Sequence, residues 1–308
     1  MTEHPGQPQR PPASAYLLID SRDRGETSTG LLQPNANDFI LNARGNAALL
    51  YGYFTRVAIT QVSFDWYFPL IKENYNDLIR VTNVTTATTS TIQLSGQTPY
   101  VDYDTLAAQL ETLLRAAPVG NPALTVTFES AYTGFLISTN NGDQLQFVSP
   151  LVADPTRGTL YKTLTKTYRT LGINNYQMST AITDMQCCPP RAATSYLDIM
   201  SDRLTKFQRV KDADTDQQQP RNTQIARVYI TPPGQRIIVE NTVAPEGPGT
   251  QPFTICVDYN TPKHIKWSPG EALYQLDLQV RDMDGDLLPW NGLEACWEYQ
   301  LTLVASET

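Results

Sequence analysis

The chain has 308 residues and a formal net charge of −8 at pH 7, and 18% of its residues are charged, below the roughly 25% of an average soluble protein. Proteins that package or scan nucleic acid normally carry a basic patch or arm, and no run of Lys or Arg occurs here. The composition therefore argues against direct nucleic-acid binding. It predicts a polar surface built mainly from Thr, Ser, Asn and Gln, which suits exposed strand faces.

The first 14 residues form a separate compositional segment. They carry four prolines among Gln, Gly and Arg, and this mixture predicts a flexible N-terminal arm. The arm lacks the apolar stretch of a secretory signal peptide. No window of 18 consecutive apolar residues predicts a transmembrane helix in the chain.

Strand signals follow the arm. The pattern predicts strands at residues 16–19, 37–41 and 57–68. In the third strand, Val57 and Ile59 lie in one phase, whereas Val62 and Phe64 lie in the other. Because side chains alternate strictly along a strand, this change of phase predicts a β-bulge near residues 60–61.

Residues 73–175 differ from their surroundings because they contain the one strong helix signal. Four leucines at positions i, i+4, i+7 and i+8 predict a helix over residues 104–116, and they are Leu106, Leu110, Leu113 and Leu114. Asp102 or Asp104 is expected to cap its start, and Pro118 to end it. A weaker helical pattern covers 156–171. Short strands are predicted at 78–81, 92–94, 124–128, 135–137 and 145–148.

The chain from residue 195 onward returns to strands. They are predicted at 196–199, 228–230, 237–239, 253–258, 276–281 and 297–303, with a polar loop at 207–223 and a Pro/Gly loop at 244–252. The strands at 276–281 and 297–303 show the cleanest alternation of apolar and polar residues. About ten short strands separated by Pro/Gly turns predict an all-β fold of the β-sandwich or jelly-roll type.

Residues that could carry catalysis are few. The chain has two histidines, His4 in the arm and His264 in a predicted edge strand, and a surface histidine is the favoured interpretation of His264. The tripeptide Asp20-Ser21-Arg22 lacks the Gly of aspartic proteases and predicts a charged strand end. No phosphate-binding Gly-rich loop occurs. We therefore predict no catalytic residues and no cofactor-binding residues.

Metal sites are not predicted either. Residues 282–286 are rich in carboxylates, but their Gly285 stands at the wrong position for a calcium-binding EF-hand loop, so the segment predicts an Asp-Gly turn. The spacing of the four cysteines fits no zinc site and no redox motif, and it predicts reduced, partly buried thiols. They are Cys187, Cys188, Cys256 and Cys296. Several aromatic residues could line a sugar or partner site, although core or subunit-interface positions are more usual at strand spacing. They are Trp66, Tyr67, Phe68, Trp267, Trp290 and Trp297.

The order of these elements resembles the penton (minor capsid) proteins of virophages, polinton-like viruses and related large DNA viruses. The resemblance runs along nearly the whole chain, although each motif alone is degenerate. It rests on residues 21–24, 37–39 and 57–68, then on the module from Leu78 to Ile173, and finally on residues 281–285 and 299–303.

The resemblance implies a single jelly-roll β-sandwich interrupted by an inserted α+β or all-β module. We assign residues 1–14 to the arm, 15–72 and 176–308 to the jelly roll, and 73–175 to the insertion. It further implies a non-enzymatic structural protein of the virion, made in the host cytoplasm, that forms homopentamers at the fivefold vertices of the capsid. Its implied partners are other copies of itself, the double jelly-roll major capsid protein and further minor capsid proteins.

Two other functions remain open at the level of the sequence. A β-sandwich can serve as a carbohydrate- or receptor-binding module, and an insertion that projects outward suits such a role. The other hypothesis is an enzyme on a β-sandwich scaffold, for example a glycan hydrolase whose two carboxylates come together only in the folded protein. No residue of the sequence singles out such a pair.

Overall fold

The computed structural model of the chain describes residues 13–24, 37–43, 47–66, 71–95, 103–117, 122–129, 131, 133–150, 158–191, 193–207, 223–230, 253–288 and 298–307. The chain folds into two compact units, one comprising residues 1–66, 196–230 and 254–308, the other residues 67–195 and 231–253. The second unit therefore extends beyond the predicted insertion borders of 73 and 175.

Fifteen strands and three α-helices make up the described part of the chain. In chain order the strands are β1 (Ser14–Asp20), β2 (Asp38–Asn42), β3 (Arg56–Trp66), β4 (Leu78–Asn83), β5 (Thr88–Gln93), β6 (Thr125–Glu129), β7 (Gly134–Ser138), β8 (Leu145–Phe147), β9 (Asp184–Gln186), β10 (Tyr196–Met200), β11 (Gln224–Tyr229), β12 (Phe253–Asp258), β13 (Ile265–Lys266), β14 (Gln275–Asp282) and β15 (Tyr299–Ser306). The helices are α1 (Tyr103–Ala116), α2 (Gly158–Leu171) and α3 (Asn175–Ser179). Ser14, predicted as the last residue of the arm, begins β1.

The first unit contains two four-stranded sheets. One has the strand order β1-β15-β3-β12, with the short β13 also paired to β3, and we call it the first sheet. The other, called the second sheet, has the order β11-β10-β14-β2. The eight main strands are therefore distributed between the two sheets as in a jelly roll. In that fold, each sheet contains strands from both halves of the sequence. The predicted all-β jelly roll is confirmed.

Apolar residues that alternate along the strands form the inner faces of both sheets. Val62 of β3 and Tyr299 of β15 line the same small apolar gap as Leu197 of β10 and Val280 of β14. The rings of Phe39 and Tyr299 lie 5.9 Å apart between their centroids. The core of this unit therefore lies between the two sheets, as in other sandwiches.

The third strand contains the predicted bulge. Thr302 of β15 pairs with Gln61, whereas the next residue, Leu303, pairs with Ile59. Thr60 is therefore the extra residue, and the prediction of a bulge at residues 60–61 is confirmed. The bulge keeps Val57 and Val62 on the inner face although they lie an odd number of residues apart.

The second unit combines helices with two three-stranded sheets, β5-β4-β8 and β6-β7-β9. Leu106, Leu110 and Leu114 of α1 are fully buried in its apolar core together with Phe135 and Phe147. The predicted helices at 104–116 and 156–171 correspond to α1 and α2. The prediction omitted α3 and β9, which follow residue 175. Because β9 pairs with β7, these elements belong to the second unit.

The end of α2 is fixed by a glycine. The N–H of Gly172 donates to the carbonyl of Arg169, and the N–H of Ile173 donates to that of Tyr168. This is the hydrogen-bond pattern of a Schellman C-cap, in which the residue after the helix adopts a left-handed conformation. Gly172 has a φ of +72°, as this motif requires.

Several predicted features lie outside the described residues. The segments are residues 1–12 of the arm with His4, residues 208–222 of the polar loop, the strand at 237–239 and the loop at 244–252. The single residues are Tyr67, Phe68, the cap Asp102, Pro118, Trp290, Cys296 and Trp297. Within the described part, no helix is long and apolar enough to cross a membrane.

Candidate functional site

Among the residues whose side chains are described, the outer face of the first sheet lacks charge over its centre. The outward side chains of β1, β15, β3 and β12 that define this neutral face are Tyr16, Leu18, Gln61, Ser63, Cys256, Gln300, Thr302 and Val304. Tyr16 is 74% exposed and Leu18 is 67% exposed. The charged side chains described on this side, Asp20, Arg56, Asp258 and Lys266, stand at strand ends. A face with exposed aromatic and aliphatic groups and no central charge has the composition of a protein–protein interface core.

The register of the strands explains how the neutral face forms. Tyr16 lies opposite Val304, which lies opposite Ala58 on the next strand. Leu18 lies opposite Thr302, which faces Gln61 on β3. Two rows of uncharged side chains therefore run across the sheet. Without the bulge at Thr60, the half of β3 that follows it would point its apolar side chains outward instead of Gln61 and Ser63.

Strand β1 is an edge strand in the described part of the sheet, because its only partner there is β15. Natural edge strands are usually protected from pairing by charges, prolines or bulges. Between Ser14 and Ile19, β1 has none of these. Its exposed side chains and its open edge lie together, so the chain presents an uncharged surface suited to contact with another protein.

The outer face of the second sheet is built differently, because it carries charged side chains that are hydrogen-bonded within the chain. Arg227 of β11 donates from Nε and Nη2 to the two carboxylate oxygens of Asp198 on β10, at 2.8 and 2.9 Å. Gln224 donates a third bond to the same carboxylate. The guanidinium carbon of Arg227 also lies 3.9 Å from the ring centroid of Tyr196, a cation–π contact. The bonds to Asp198 raise the pKa of Arg227.

The remaining charges of this face are also hydrogen-bonded. The carboxylate of Asp277 accepts bonds from the hydroxyl of Ser201 and from the backbone N–H groups of Asp202 and Arg203, at 2.8 to 3.0 Å. Arg281 donates to Gln279 and to the carbonyl of Gly285. We call this outer face of β2, β14, β10 and β11 the paired-charge face. Its exposed apolar side chains are Ile40, at 39%, and Tyr229, at 62%.

The described residues considered for catalysis, His264 and the segment 20–22, lie at or next to the ends of strands. His264 is exposed next to the short strand β13. Asp20 accepts a bond of 2.6 Å from Nη2 of Arg22, and this arginine lowers the pKa of Asp20 from 3.8 to about 2. Arg22 also lies 3.4 Å from Glu298. The interpretation of residues 20–22 as a charged strand end is thus confirmed.

The carboxylate-rich segment 282–286 forms a turn. Asp282 is buried, and its Oδ1 accepts bonds of 2.9 Å from the backbone N–H groups of Asp284 and Asp286. Gly285 has a φ of +81°, which favours glycine at this position. The predicted Asp-Gly turn is confirmed. No group of three metal-ligating side chains occurs among the residues for which side chains are described.

The described cysteines are free thiols, as predicted. Cys187 is buried, and burial raises its pKa to about 12, so this thiol stays protonated and unreactive at neutral pH. Cys188 and Cys256 are exposed. Cys256 lies on the neutral face, where its Sγ is 3.9 Å from Nε2 of Gln61.

Trp267 is the aromatic residue of the predicted set whose side chain is described, and it belongs to the core. It is 1% exposed, and its indole N–H donates to the carbonyl of Glu271. Residues 83–85, Asn-Val-Thr, match the sequon for N-glycosylation, but the side chain of Asn83 is buried. Asn83 is 1% exposed and donates to Asp143.

Comparisons with known proteins give similarity only at the level of structure. No protein-family model matches the sequence, and no curated protein matches it. The structure is similar to that of the mavirus penton protein, with a TM-score of 0.47, 11% sequence identity, and coverage of 95% of this chain and 100% of that one. It is also similar to a chain in the cryo-EM structure of the Sputnik virophage, with a TM-score of 0.41, 13% identity, and coverage of 96% and 98%.

The sequence pattern did not reveal the neutral face. The segment 16–19 reads as one continuous apolar run, whereas the structure buries Ile19 and exposes Tyr16 and Leu18. The sequence did contain one signal. Tyr16 and Leu18 lie two residues apart in a strand, so both side chains point to the same face. The absence of charge across four strands becomes visible only when their pairing is known.

Proposed function

We propose that this chain is a non-enzymatic structural protein of a virion, and that it forms homopentamers at the fivefold vertices of an icosahedral DNA virus capsid. The observation that carries the proposal is the neutral face on a jelly roll, with β1 as its edge strand in the described part of the sheet. Exposed Tyr16 and Leu18 at 74% and 67% provide aromatic and aliphatic anchors of the kind that dominate protein interfaces. The resemblance of the sequence to penton proteins supplies the fivefold assembly.

The proposed partners follow from the same role. A penton contacts its own copies around the ring and the double jelly-roll major capsid proteins that surround the vertex. Further minor capsid proteins complete the set. The net charge of −8 keeps unassembled copies apart and soluble. The proposal needs no cofactor, no metal and no contact with nucleic acid.

The mass of the purified chain in solution tests the pentamer. Light scattering over a range of concentrations should show a species of about 172 kDa, five times the 34.4 kDa of one chain, because a closed ring is a discrete assembly. A mass of 34.4 kDa at every concentration would contradict self-assembly. In virions, averaging about the vertices should then show five copies of this fold.

A pair of variants ties the assembly to the neutral face. Leu18→Arg places a charge on the edge strand of this face, and we expect it to shift the species of about 172 kDa toward the monomer, since an unpaired charge buried at an interface is costly. Tyr176→Arg is the matched control, because Tyr176 is 60% exposed in the second unit. Equal loss of the large species in both variants would show that the neutral face has no special part in assembly.

A further inference from the structure

A ring of identical subunits needs two different surfaces on each copy. In a cyclic head-to-tail assembly, one patch of a subunit meets a different patch of the next. The neutral face can supply only one side of that contact. A second surface of the chain must therefore be buried against a face that offers no compensating charge.

A surface that meets the neutral face must not bring unpaired charges into it. Burying an isolated charge is strongly unfavourable even after the protein relaxes. The paired-charge face meets this condition best at its central strand β10, where Asp198 forms an ion pair with Arg227 and accepts a bond from Gln224. Asp277 accepts three bonds from neutral donors, which reduces the solvation that it would lose on burial. Asp38, on the edge strand β2, accepts one bond of 3.3 Å from Gln279.

The paired-charge face also has apolar contact groups to offer. Ile40 stands on β2, at one edge of the second sheet, and Tyr229 stands on β11, at the opposite edge. The ring of Tyr229 lies edge-on to that of Tyr196, with 6.0 Å between the centroids. Tyrosines supply large contact area at low entropic cost, and they are frequent anchors of interfaces.

The size of the two faces is suitable for a stable contact. The strands of the second sheet have 5 to 8 residues, so a typical strand of six residues is about 20 Å long, and four strands cover a width of about 19 Å. The flat footprint of this smaller face is therefore about 380 Å², and side chains that project from it add accessible area. A standard interface buries about 800 Å² of accessible surface on each partner, which is of the same order.

We propose that the neutral face of one copy packs against the paired-charge face of the next copy around the ring. The inference rests on the proposed homopentamer and adds to it the two surfaces that meet. One prediction is specific to this pairing. Cys256 of the neutral face lies close to the second sheet of a neighbouring copy and can be joined to it by a covalent bridge.

Cysteine crosslinking tests the pairing with a thiol that the chain already has. In a background with Cys188→Ser and Cys296→Ser, a second cysteine is introduced on the paired-charge face as Ile40→Cys, Gln275→Cys or Tyr229→Cys, one in each of three strands. A short bifunctional maleimide should then produce a ladder of covalent species that reaches five chains for at least one of them. Addition of Cys256→Ser should abolish the ladder.

The control places the second cysteine away from both faces. Tyr176→Cys in the same background should give no ladder above dimer, although this position is 60% exposed. Light scattering on each sample before crosslinking separates the two levels of the proposal. A species of about 172 kDa without a ladder from any of the three positions overturns the pairing and leaves the pentamer standing. Absence of that species overturns the pentamer, and the pairing with it.

Discussion

At the residue scale, substitution of Gly172 and of Gly142 distinguishes the cost of backbone strain from the cost of steric overlap. Both have positive φ angles, +72° and +84°. A Cβ at Gly172 would lie 1.8 Å from the carbonyl oxygen of Cys188, whereas a Cβ at Gly142 would have no atom within 4 Å. Cys188 reaches this position because its N–H donates to the carbonyl of Gly172. The backbone at the helix end therefore lies directly against the backbone of Cys188.

We expect Gly142→Ala to lower the free energy of unfolding by about 1–2 kcal/mol, the cost of a left-handed conformation for a residue with a Cβ. Gly172→Ala should cost that amount and at least about 2 kcal/mol more, since the backbone of Cys188 must also move. Urea denaturation of both variants gives the difference. Equal losses would mean that the segment at Cys188 yields to the added methyl group.

A second residue-scale prediction concerns pH. Arg22 lowers the pKa of Asp20 from 3.8 to about 2. Because the folded-state pKa lies below the unfolded one, the stabilisation is complete above about pH 4 and is lost as the pH falls toward 2. The denaturation midpoint should therefore be higher for the wild type than for Asp20→Asn above pH 4, and the difference should vanish near pH 2. Asp202→Asn, at an exposed aspartate, is the control for a general change in net charge.

At the element scale, because β3 contains a bulge, one of its residues can be deleted without changing which side chains face the core. Deletion of Thr60 joins Ile59 to Gln61 and leaves the inner and outer phases of both halves unchanged. The main loss is the bond of 2.8 Å from the N–H of Tyr259 to the Thr60 carbonyl, worth about 1 kcal/mol. We expect the deletion variant to fold, with a free energy of unfolding about 1 kcal/mol lower by chemical denaturation.

Deletion of Ser63 is the matched control for this prediction. It shifts Phe64 by one position, and a side chain that is 4% exposed in the core moves to the outer face. Loss of one buried aromatic group alone costs about 1.5–3 kcal/mol, and the register of the strand end is lost with it. If both deletions destabilise the protein equally, Thr60 has a role beyond the bulge.

The elements that could be predicted are those whose side chains repeat with a regular period. In β14 and β15, buried apolar residues alternate with more exposed ones, so the sequence pattern predicts which side chains share the inner face. The spacing of the leucines in α1 predicts a helix in the same way. By contrast, α3 and β9 have only five and three residues, which is too short for a period to show. Helix α3 depends instead on its cap, in which Asn174 and Gln177 bond reciprocally with each other's backbone.

The pairing of strands could not be predicted from the same pattern. Tyr16 of β1 lies beside Val304 of β15, and no local period connects residues so far apart in the chain. Periodicity predicts which side chains share a face of one strand, but not which strands become neighbours. For this reason the candidate site, which depends on four strands from both ends of the sequence, emerged only with the fold.

At the scale of the whole molecule, assembly should respond to salt in an unusual direction. Interfaces held by ion pairs between subunits weaken as salt screens them. Here the neutral face has no central charge, and Asp198 of the paired-charge face is neutralised within its own chain by Arg227. Each copy also carries a net charge of −8, so the dominant electrostatic force between copies is repulsion.

Screening should therefore maintain or strengthen the pentamer. Between 0.1 M and 1 M NaCl the screening length falls from about 10 Å to about 3 Å, which removes most of the repulsion between neighbours. We expect the fraction of chains in the species of about 172 kDa, measured by sedimentation at a fixed total concentration, to stay equal or rise over this range. A loss of that species at 1 M NaCl would indicate ion pairs between subunits, a result incompatible with contact between the neutral face and a face whose charges are already paired.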